Sequence, residues 1–223
     1  MPVELVFLHG WGFDARFWDA LASRLPQFRQ TRIDLGFFED GAPALAQGLG
    51  ATPMPSGPTV LIGHSLGFAY GVKQPASFSG WIAINGFLRF VKTPERPGCV
   101  SPAALRTMRL LLKNDPTTCF HDFYALMGVP PPGGTPNVER LREGLDELRD
   151  TDIEAIIAIR AIPGLVLTGG RDPLVPVETS EKLGHYAIDG AFETLETGGH
   201  VLPQSDPDWC AVRIAQFITR NFN

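Results

Sequence analysis

The serine at position 65 lies in the pentapeptide Gly63-His64-Ser65-Leu66-Gly67, which fits the pattern G-x-S-x-G. An apolar run precedes this pentapeptide and a helical pattern follows it, which is the context of a sharp strand-to-helix turn. The glycines permit the tight turn, and the serine hydroxyl is then exposed above the end of the strand. We therefore predict that Ser65 is a nucleophile and not an ordinary turn residue.

A nucleophilic serine requires a histidine as its base and a carboxylate that orients the histidine. With a turn of this kind, the three residues follow along the chain in the order serine, acid, histidine. Asp172 comes just after an apolar run at 165–168, and His200 lies in the glycine-flanked segment 197–203, T-G-G-H-V-L-P. We predict that Asp172 and His200 complete a catalytic triad with Ser65.

Other titratable residues fit these two roles less well. His64 is adjacent to the serine and too close in sequence to act as its base, and His185 ends a helical pattern. His121 lies in a segment that interrupts the core, and Asp189 follows no clear strand. The ordered set of three residues therefore remains the preferred assignment.

The tetrahedral intermediate of acyl transfer carries an oxyanion that needs hydrogen-bond donors. One predicted donor is the backbone N–H of Leu66, at the start of the helix after the nucleophile. The second is expected from the loop after an early strand, and the segment 7–12, F-L-H-G-W-G, places Trp11 there. An ordinary turn at His9-Gly10 is the alternative interpretation.

The elements that must position these residues alternate between strand and helix. Four short apolar runs predict buried strands and two weaker runs are further candidates: Val3–Leu8, Thr59–Ile62, Trp81–Ile84 and Leu165–Thr168, then Thr31–Asp34 and Phe192–Leu195. Such runs, with helices between them, predict an α/β protein with a mostly parallel sheet covered by helices on both faces. The short stretch between the strand candidates at 31–34 and 59–62 predicts a short helix.

The segment 87–160 breaks this alternation, because it has helical patterns and no good strand. Ser101-Pro102 is a typical helix start, and a charged helical pattern covers Arg140–Arg149. We predict a core formed by residues 1–86 and 161–223, with 87–160 as a helical cap over the sheet edge where ligands bind.

Composition excludes several other classes. The 223 residues are 44% hydrophobic and carry a net charge of −5, so neither disorder nor nucleic-acid binding is favoured. The three cysteines are far apart and predict neither a disulfide framework nor a metal site. No run is long enough for a membrane span and no signal peptide is recognised, so we expect a cytoplasmic protein without a membrane partner.

With H-G-W-G, G-H-S-L-G, G-x-x-D-P-L-V-P and G-G-H in this order, nearly the whole chain resembles the α/β-hydrolase family. The most specific likeness is to the pimeloyl-acyl carrier protein methyl ester esterases of biotin synthesis, which share H-G-W-G, a serine–leucine pair and a helical cap. This resemblance implies that the acyl pocket is lined by Trp11 and by cap residues that follow one another closely: Phe123, Tyr124, Leu126 and Met127.

The cap sequence also carries concentrated positive charge. Residues 88–113 contain six basic side chains and one acidic side chain, a local charge of +5. On a helix, Arg106, Arg109 and Lys113 share one face, and such a stripe would suit docking of an acidic acyl carrier protein. A solvated helix face with no partner is an equally good interpretation.

The sequence as a whole predicts a serine carboxylesterase that needs no cofactor and forms an acyl-enzyme. The resemblance implies an ester linked to a carrier protein, in biotin synthesis. A thioesterase, a C–C hydrolase or a lyase could use the same triad, and a ligand receptor of the same fold could lack catalysis altogether. The absence of G-x-G-x-x-G and P-loop motifs makes a nucleotide-binding protein a poorer interpretation.

Overall fold

The computed structural model describes residues 2–39, 57–74 and 77–222. Six strands in this part of the chain form one sheet in the order β2-β1-β3-β4-β5-β6, and every neighbouring pair is parallel. Their bounds are β1 Glu4–Leu8, β2 Arg29–Ile33, β3 Thr59–His64, β4 Gly80–Ile84, β5 Pro163–Gly169 and β6 Ile188–Leu195. The predicted α/β class and all six predicted strands are confirmed.

Burial explains why some strands are easy to recognise in the sequence and others are weak. Every residue of β3 and of β4 is buried, so these central strands are continuous apolar runs. β2 is an edge strand with only Ile33 buried, so it consists mostly of polar residues. The short helix predicted between β2 and β3 falls on residues 40–56, which lie outside the described residues.

The helices pack around this sheet and above one of its edges. A 3₁₀ turn at Ala15–Trp18 precedes the first of them. Their bounds are α1 Asp19–Ala22, α2 Leu66–Lys73, α3 Pro102–Asn114, α4 Pro116–Met127, α5 Val138–Asp150, α6 Glu154–Ala158, α7 Val177–Gly184, α8 Leu202–Ser205 and α9 Pro207–Phe222. The helical stripe at the end of the chain is the buried face of α9.

The segment 87–160 contains α3 to α6 and, as predicted, no strand; its backbone bridges are isolated single pairs. Side chains at the helix starts explain the order of these elements. The hydroxyl of Ser101 accepts from the N–H of Ala104 at 3.1 Å, and Asp115 caps α4 by accepting from Thr118 N–H at 3.0 Å. The division into a core domain and a cap domain stays a prediction.

Parallel pairing places the carboxyl ends of the strands at one edge of the sheet. The segments that follow β1, β3, β4, β5 and β6 carry Trp11, Ser65, Asn85, Asp172 and His200 in turn. Residues far apart in sequence therefore gather at this edge, which is where open α/β sheets bind their ligands.

Candidate active site

Ser65 occupies the sharp turn between β3 and α2, in a backbone conformation that side chains rarely adopt. Its φ and ψ are 52° and −122°, and its N–H donates to the carbonyl oxygen of Ile84 at 3.1 Å. Strain of this kind costs about 1–3 kcal/mol and persists only where the surroundings enforce it. The structure therefore shows the strained strand-to-helix turn that the sequence predicts at Ser65.

Two glycines allow the turn to form because their neighbours leave no room for a side chain. A Cβ on Gly63 would overlap the backbone of Phe68, and a Cβ on Gly67 would overlap the carbonyl oxygens of Leu8 and His9. The G-x-S-x-G spacing thus reflects the close approach of α2 to the ends of β1 and β3.

Asp172 and His200 are hydrogen-bonded, although they lie on different loops. The Nδ1–H of His200 donates to Oδ2 of Asp172 at 2.7 Å, and both side chains are almost fully buried. The other carboxylate oxygen accepts from the N–H groups of Leu174 and Val175 at 2.8 and 2.9 Å. Nδ1 is therefore committed to the carboxylate, which leaves Nε2 as the nitrogen that can act as a base.

The environment of Asp172 favours its ionised form. Burial by itself raises the pKa of this carboxyl, but the charge of His200 and the hydrogen bonds from His200, Val175 and Leu174 lower the pKa by more. A carboxylate that stays ionised next to the imidazole is what a serine–histidine–acid triad needs.

Ser65 and His200 line the same cavity, which has a volume of about 390 Å³. Its walls are mostly apolar and come from the core loops and from the cap: Trp11, Phe90, Ala104, Thr107, Met108, Leu111, Cys119, Asp122, Phe123, Leu126, Leu148 and Leu174. The three residues predicted as a triad are thus brought to one apolar site, and their catalytic roles stay predictions.

Of the two predicted oxyanion donors, Trp11 lines this cavity and Leu66 directly follows Ser65, which lines it. Leu66 is the first residue of α2, where backbone N–H groups have no partner within the helix. Trp11 follows β1, its ring lines the cavity, and its indole N–H donates to the carbonyl oxygen of Leu141 in α5 at 2.8 Å. That bond holds the Trp11 loop against the cap; the donor role of the two amides stays a prediction.

The four cap residues that the resemblance implies as substrate contacts all lie on α4, and two of them line the cavity. Phe123 and Leu126 line the cavity together with Trp11. Tyr124 and Met127 do not line it: both are buried in the core, and the Tyr124 hydroxyl donates to the carbonyl oxygen of Gly12. These two residues are therefore not part of the cavity wall, and the predicted substrate contacts of all four cap residues stay predictions.

The basic stripe carries less free charge than its sequence suggests. Arg106 and Lys113 are exposed, and no ion-pair partner for either is present among the described residues. Arg109 instead forms an ion pair with Asp146 of α5. The helical stripe exists, but one of its three cations already has an ion-pair partner, and its docking role stays a prediction.

Two further basic residues of segment 88–113 also form ion pairs. Arg89 and Arg96 each form ion pairs with Asp152 and with Glu154. These acids lie outside residues 88–113, so a count over neighbouring positions misses them. The local charge of +5 therefore does not describe the surface.

His64, His121 and His185, which fitted the role of base less well in the sequence, are not placed to act as one. His64 is fully buried, its Nε2–H donates to the backbone carbonyl oxygen of His200 at 2.9 Å, and its Nδ1 has no partner. Burial lowers its pKa well below the usual value, since a second ring proton would find no acceptor. His121 and His185 are exposed, so neither competes with His200 for the role of base.

Asn85 is a site residue that the sequence analysis missed. Its side-chain N–H donates to Oδ2 of Asp172 at 2.5 Å, the same oxygen that accepts from His200. Its position in the sequence could have indicated a role in the site, because Asn85 directly follows the apolar run of β4 and precedes Gly86. A polar residue at that point faces the edge where ligands bind.

Comparison with known proteins identifies the class. The sequence profile of the alpha/beta hydrolase family matches residues 5–213, and the chain belongs to this family. Pimeloyl-[acyl-carrier protein] methyl ester esterase of Serratia marcescens is 27% identical, over 96% of this chain and 93% of its own. The protein of the same name from Methylococcus capsulatus is 29% identical, over 96% of this chain and 94% of its own.

Solved structures share the fold at lower identity. A bromoperoxidase from Bacillus anthracis superposes with a TM-score of 0.85 at 17% identity, covering 98% of this chain and 92% of its own. An esterase from Exiguobacterium antarcticum gives a TM-score of 0.84 at 14% identity, with the same coverage of each chain. The α/β-hydrolase fold predicted from the sequence is confirmed.

Within residues 2–39, 57–74 and 77–222, no helix is both long enough and apolar enough to cross a membrane. Nor do three or more His, Cys, Asp or Glu side chains gather there in an arrangement that could hold a metal ion.

Proposed function

We propose that this protein is a serine carboxylesterase that works through an acyl-enzyme intermediate. The observation that carries the proposal is the position of His200: it donates Nδ1–H to Asp172 at 2.7 Å and lines the same cavity as the strained Ser65. A receptor that only binds a ligand has no need for this combination.

Acylation begins when Ser65 attacks the ester carbonyl carbon and His200 Nε2 takes the hydroxyl proton. Negative charge moves to the carbonyl oxygen, where the N–H groups of Trp11 and Leu66 stabilise it. The imidazolium returns its proton to the alkoxide as the C–O bond breaks, so the alcohol leaves and the acyl group stays on Ser65. Asp172 holds the ring in one tautomer and stabilises its positive charge throughout.

Deacylation repeats these steps with water in place of serine. His200 takes a proton from a water molecule, which attacks the acyl carbonyl, and the protonated ring then returns Ser65 to its hydroxyl form. The acid that is released ionises in water. No metal or organic cofactor takes part in either half of this reaction.

The cavity supports an apolar acyl ester as the substrate. Its walls are largely aliphatic and aromatic, and Phe123 and Leu126 of the cap form part of them. The similar proteins named above are pimeloyl-[acyl-carrier protein] methyl ester esterases. We therefore assign a methyl ester on a carrier-linked acyl chain, in biotin synthesis, as the specific substrate.

An acidic acyl carrier protein is the partner that this substrate requires. The exposed cations Arg106 and Lys113 on α3 are the proposed docking residues, with Arg109 beside them. Because Arg109 already pairs with Asp146, the first two supply most of the free charge.

Hydrolysis of p-nitrophenyl esters of increasing acyl length, assayed beside a pimeloyl-carrier methyl ester, tests the proposal. We expect Ser65→Ala and His200→Ala to lower kcat by several powers of ten, with only slow background hydrolysis left. His185→Ala is the matched control, because it removes an exposed histidine and leaves the site untouched. Near-normal turnover in Ser65→Ala would overturn the nucleophile assignment.

The substrate panel also separates the alternatives. Hydrolysis of oxygen esters faster than thioesters of the same acyl chain is the expected result. Preference for the thioesters, or binding without turnover of any ester, would replace the esterase assignment by a thioesterase or by a receptor.

A further inference from the structure

Asn85 holds an unusual place in the fold. It directly follows β4, is completely buried, and has a φ of 51°, which is in the left-handed region. Its backbone N–H donates to the carbonyl oxygen of Leu167 in β5 at 2.8 Å. The turn is therefore anchored to the neighbouring strand before the side chain is considered.

The side-chain amide of Asn85 contacts two parts of the candidate site at once. Its Nδ2 donates to Oδ2 of Asp172 at 2.5 Å and lies 3.3 Å from the carbonyl oxygen of Gly199. Gly199 precedes His200, whose own carbonyl oxygen accepts from His64. The backbone carbonyls of Gly199 and His200 are thus contacted by Asn85, which follows β4, and by His64, which ends β3.

Stability alone does not explain an asparagine at this position. Its Oδ1 is buried without a hydrogen-bond partner, and an unsatisfied buried polar group costs about 1–3 kcal/mol. The positive φ adds strain that glycine would avoid. The feature that compensates is the pair of contacts made by Nδ2.

We propose that Asn85 is a positioning residue for the reaction: its amide fixes the Asp172 carboxylate in the orientation that receives His200 and ties the His200 loop to the sheet. This inference rests on the proposed function. With Asn85 in place, both oxygens of Asp172 are occupied by donors: Oδ1 by two backbone N–H groups, and Oδ2 by His200 and Asn85. Asn85 is thus the second donor on the oxygen that faces the imidazole, and it opposes rotation of that oxygen away from His200.

Asn85→Gly tests the role of the amide, because glycine keeps the positive φ and removes only the side chain. We expect kcat for a small p-nitrophenyl ester to fall about 10- to 100-fold, since misplacement of a reacting group by about 1 Å costs on that order. KM should stay within about twofold, because Asn85 does not line the cavity.

Ser180→Ala is the matched control for general loosening of the same turn. The buried Ser180 hydroxyl donates to the carbonyl oxygen of Gly86 at 2.8 Å, one residue from Asn85, and does not contact Asp172. We expect this variant to keep its kcat within about twofold. An equal fall of kcat in both variants would overturn the proposal.

Asn85→Asp supplies a readout that a structural role does not move. Two carboxyl groups at this distance share one proton, so the O–H replaces the lost N–H and kcat should exceed that of Asn85→Gly. Loss of this shared proton at higher pH leaves two facing carboxylates and no donor to Asp172, so kcat of Asn85→Asp should fall towards alkaline pH more than kcat of the wild type. Among the described residues, other titratable groups near Asp172 and His200 are His64, Cys99 and, in the wall of the same cavity as His200, Asp122.

A folded Asn85→Asp protein whose kcat follows the wild-type pH profile at alkaline pH would overturn the positioning role. If Asn85→Gly does not fold, the pH profile of Asn85→Asp decides the question alone. Failure of the proposed function is distinguishable, since it would appear as turnover that survives Ser65→Ala whatever residue stands at position 85.

Discussion

The indole N–H of Trp11 donates to the carbonyl oxygen of Leu141 at 2.8 Å and so joins the loop after β1 to the first turn of cap helix α5. The same ring stacks against Phe120 and packs edge-on against Phe123, both in α4. The Trp11 side chain therefore joins the loop that carries the proposed oxyanion donor to cap helices α4 and α5. We expect a change in this side chain to affect both the loop and the two helices.

Trp11→Phe should weaken both the fold and the reaction. The carbonyl of Leu141 keeps its partner within α5 but loses the indole donor, which costs about 0.5–1.5 kcal/mol and lowers Tm by a few degrees. We expect kcat to fall about tenfold as the loop loosens, measured together with thermal unfolding. Trp209→Phe, on the partly buried face of α9, should leave kcat unchanged. A wild-type kcat in Trp11→Phe would contradict the connection.

Ser65→Gly and Ser65→Ala should differ in stability although neither hydrolyses esters. Glycine accepts the φ of 52° without strain, whereas alanine keeps the Cβ that causes it. We expect the glycine variant to be more stable by about 1 kcal/mol, after allowance for its more flexible unfolded chain. Urea denaturation measures the difference. The same pair of changes at Ser205, in helix α8, should favour alanine instead.

The buried His64 should make the protein less stable as the pH falls. Below its ordinary pKa of 6.5, the unfolded chain binds a proton there that the folded chain excludes, so the free energy of unfolding decreases towards acidic pH. One such group contributes a slope of at most about 1.4 kcal/mol per pH unit. Urea denaturation from pH 7 downwards should show a flatter slope for His64→Gln than for the wild type.

His185→Gln provides the control for that experiment, since the side chain is exposed at the end of α7. Its profile should follow the wild type. Parallel profiles for His64→Gln and the wild type would mean that His64 is not the source of the slope.

Reversal of charge on α3 should affect only a carrier-bound substrate. We expect Arg106→Glu combined with Lys113→Glu to lower kcat/KM for a pimeloyl-carrier methyl ester about five- to tenfold at low salt, and by less at high salt. Hydrolysis of a small free ester should stay normal. Arg109 is left intact because its ion pair with Asp146 joins α3 to α5, and its loss would also disturb the packing of these helices.

A double reversal outside the cap is the matched control for this measurement. Arg29 and Arg220 are exposed on β2 and α9, and changing both to glutamate alters the net charge by the same amount. If both double variants lose equal activity on the carrier substrate, the effect comes from overall charge and α3 is not the docking surface.

The order of strands and helices, and the elements that carry the triad candidates, could be predicted from the sequence because both depend on local patterns. A central parallel strand is buried on both faces and so appears as an unbroken apolar run, as in Thr59–His64. The tight turn at Ser65 requires glycines at fixed spacing. The positions of Asp172 and His200 then follow from the parallel sheet, which places the ends of its strands together.

Only the tertiary structure decided which side chains meet. Phe123 and Leu126 of α4 line the cavity, whereas the Tyr124 hydroxyl contacts the loop after β1, and the local pattern of α4 is compatible with other arrangements. Asp146 reaches Arg109 from a helix 37 positions further along the chain (146 − 109). Asn85 contacts Asp172 across a separation of 87 residues. Such contacts depend on how whole elements pack, and no spacing within one element encodes them.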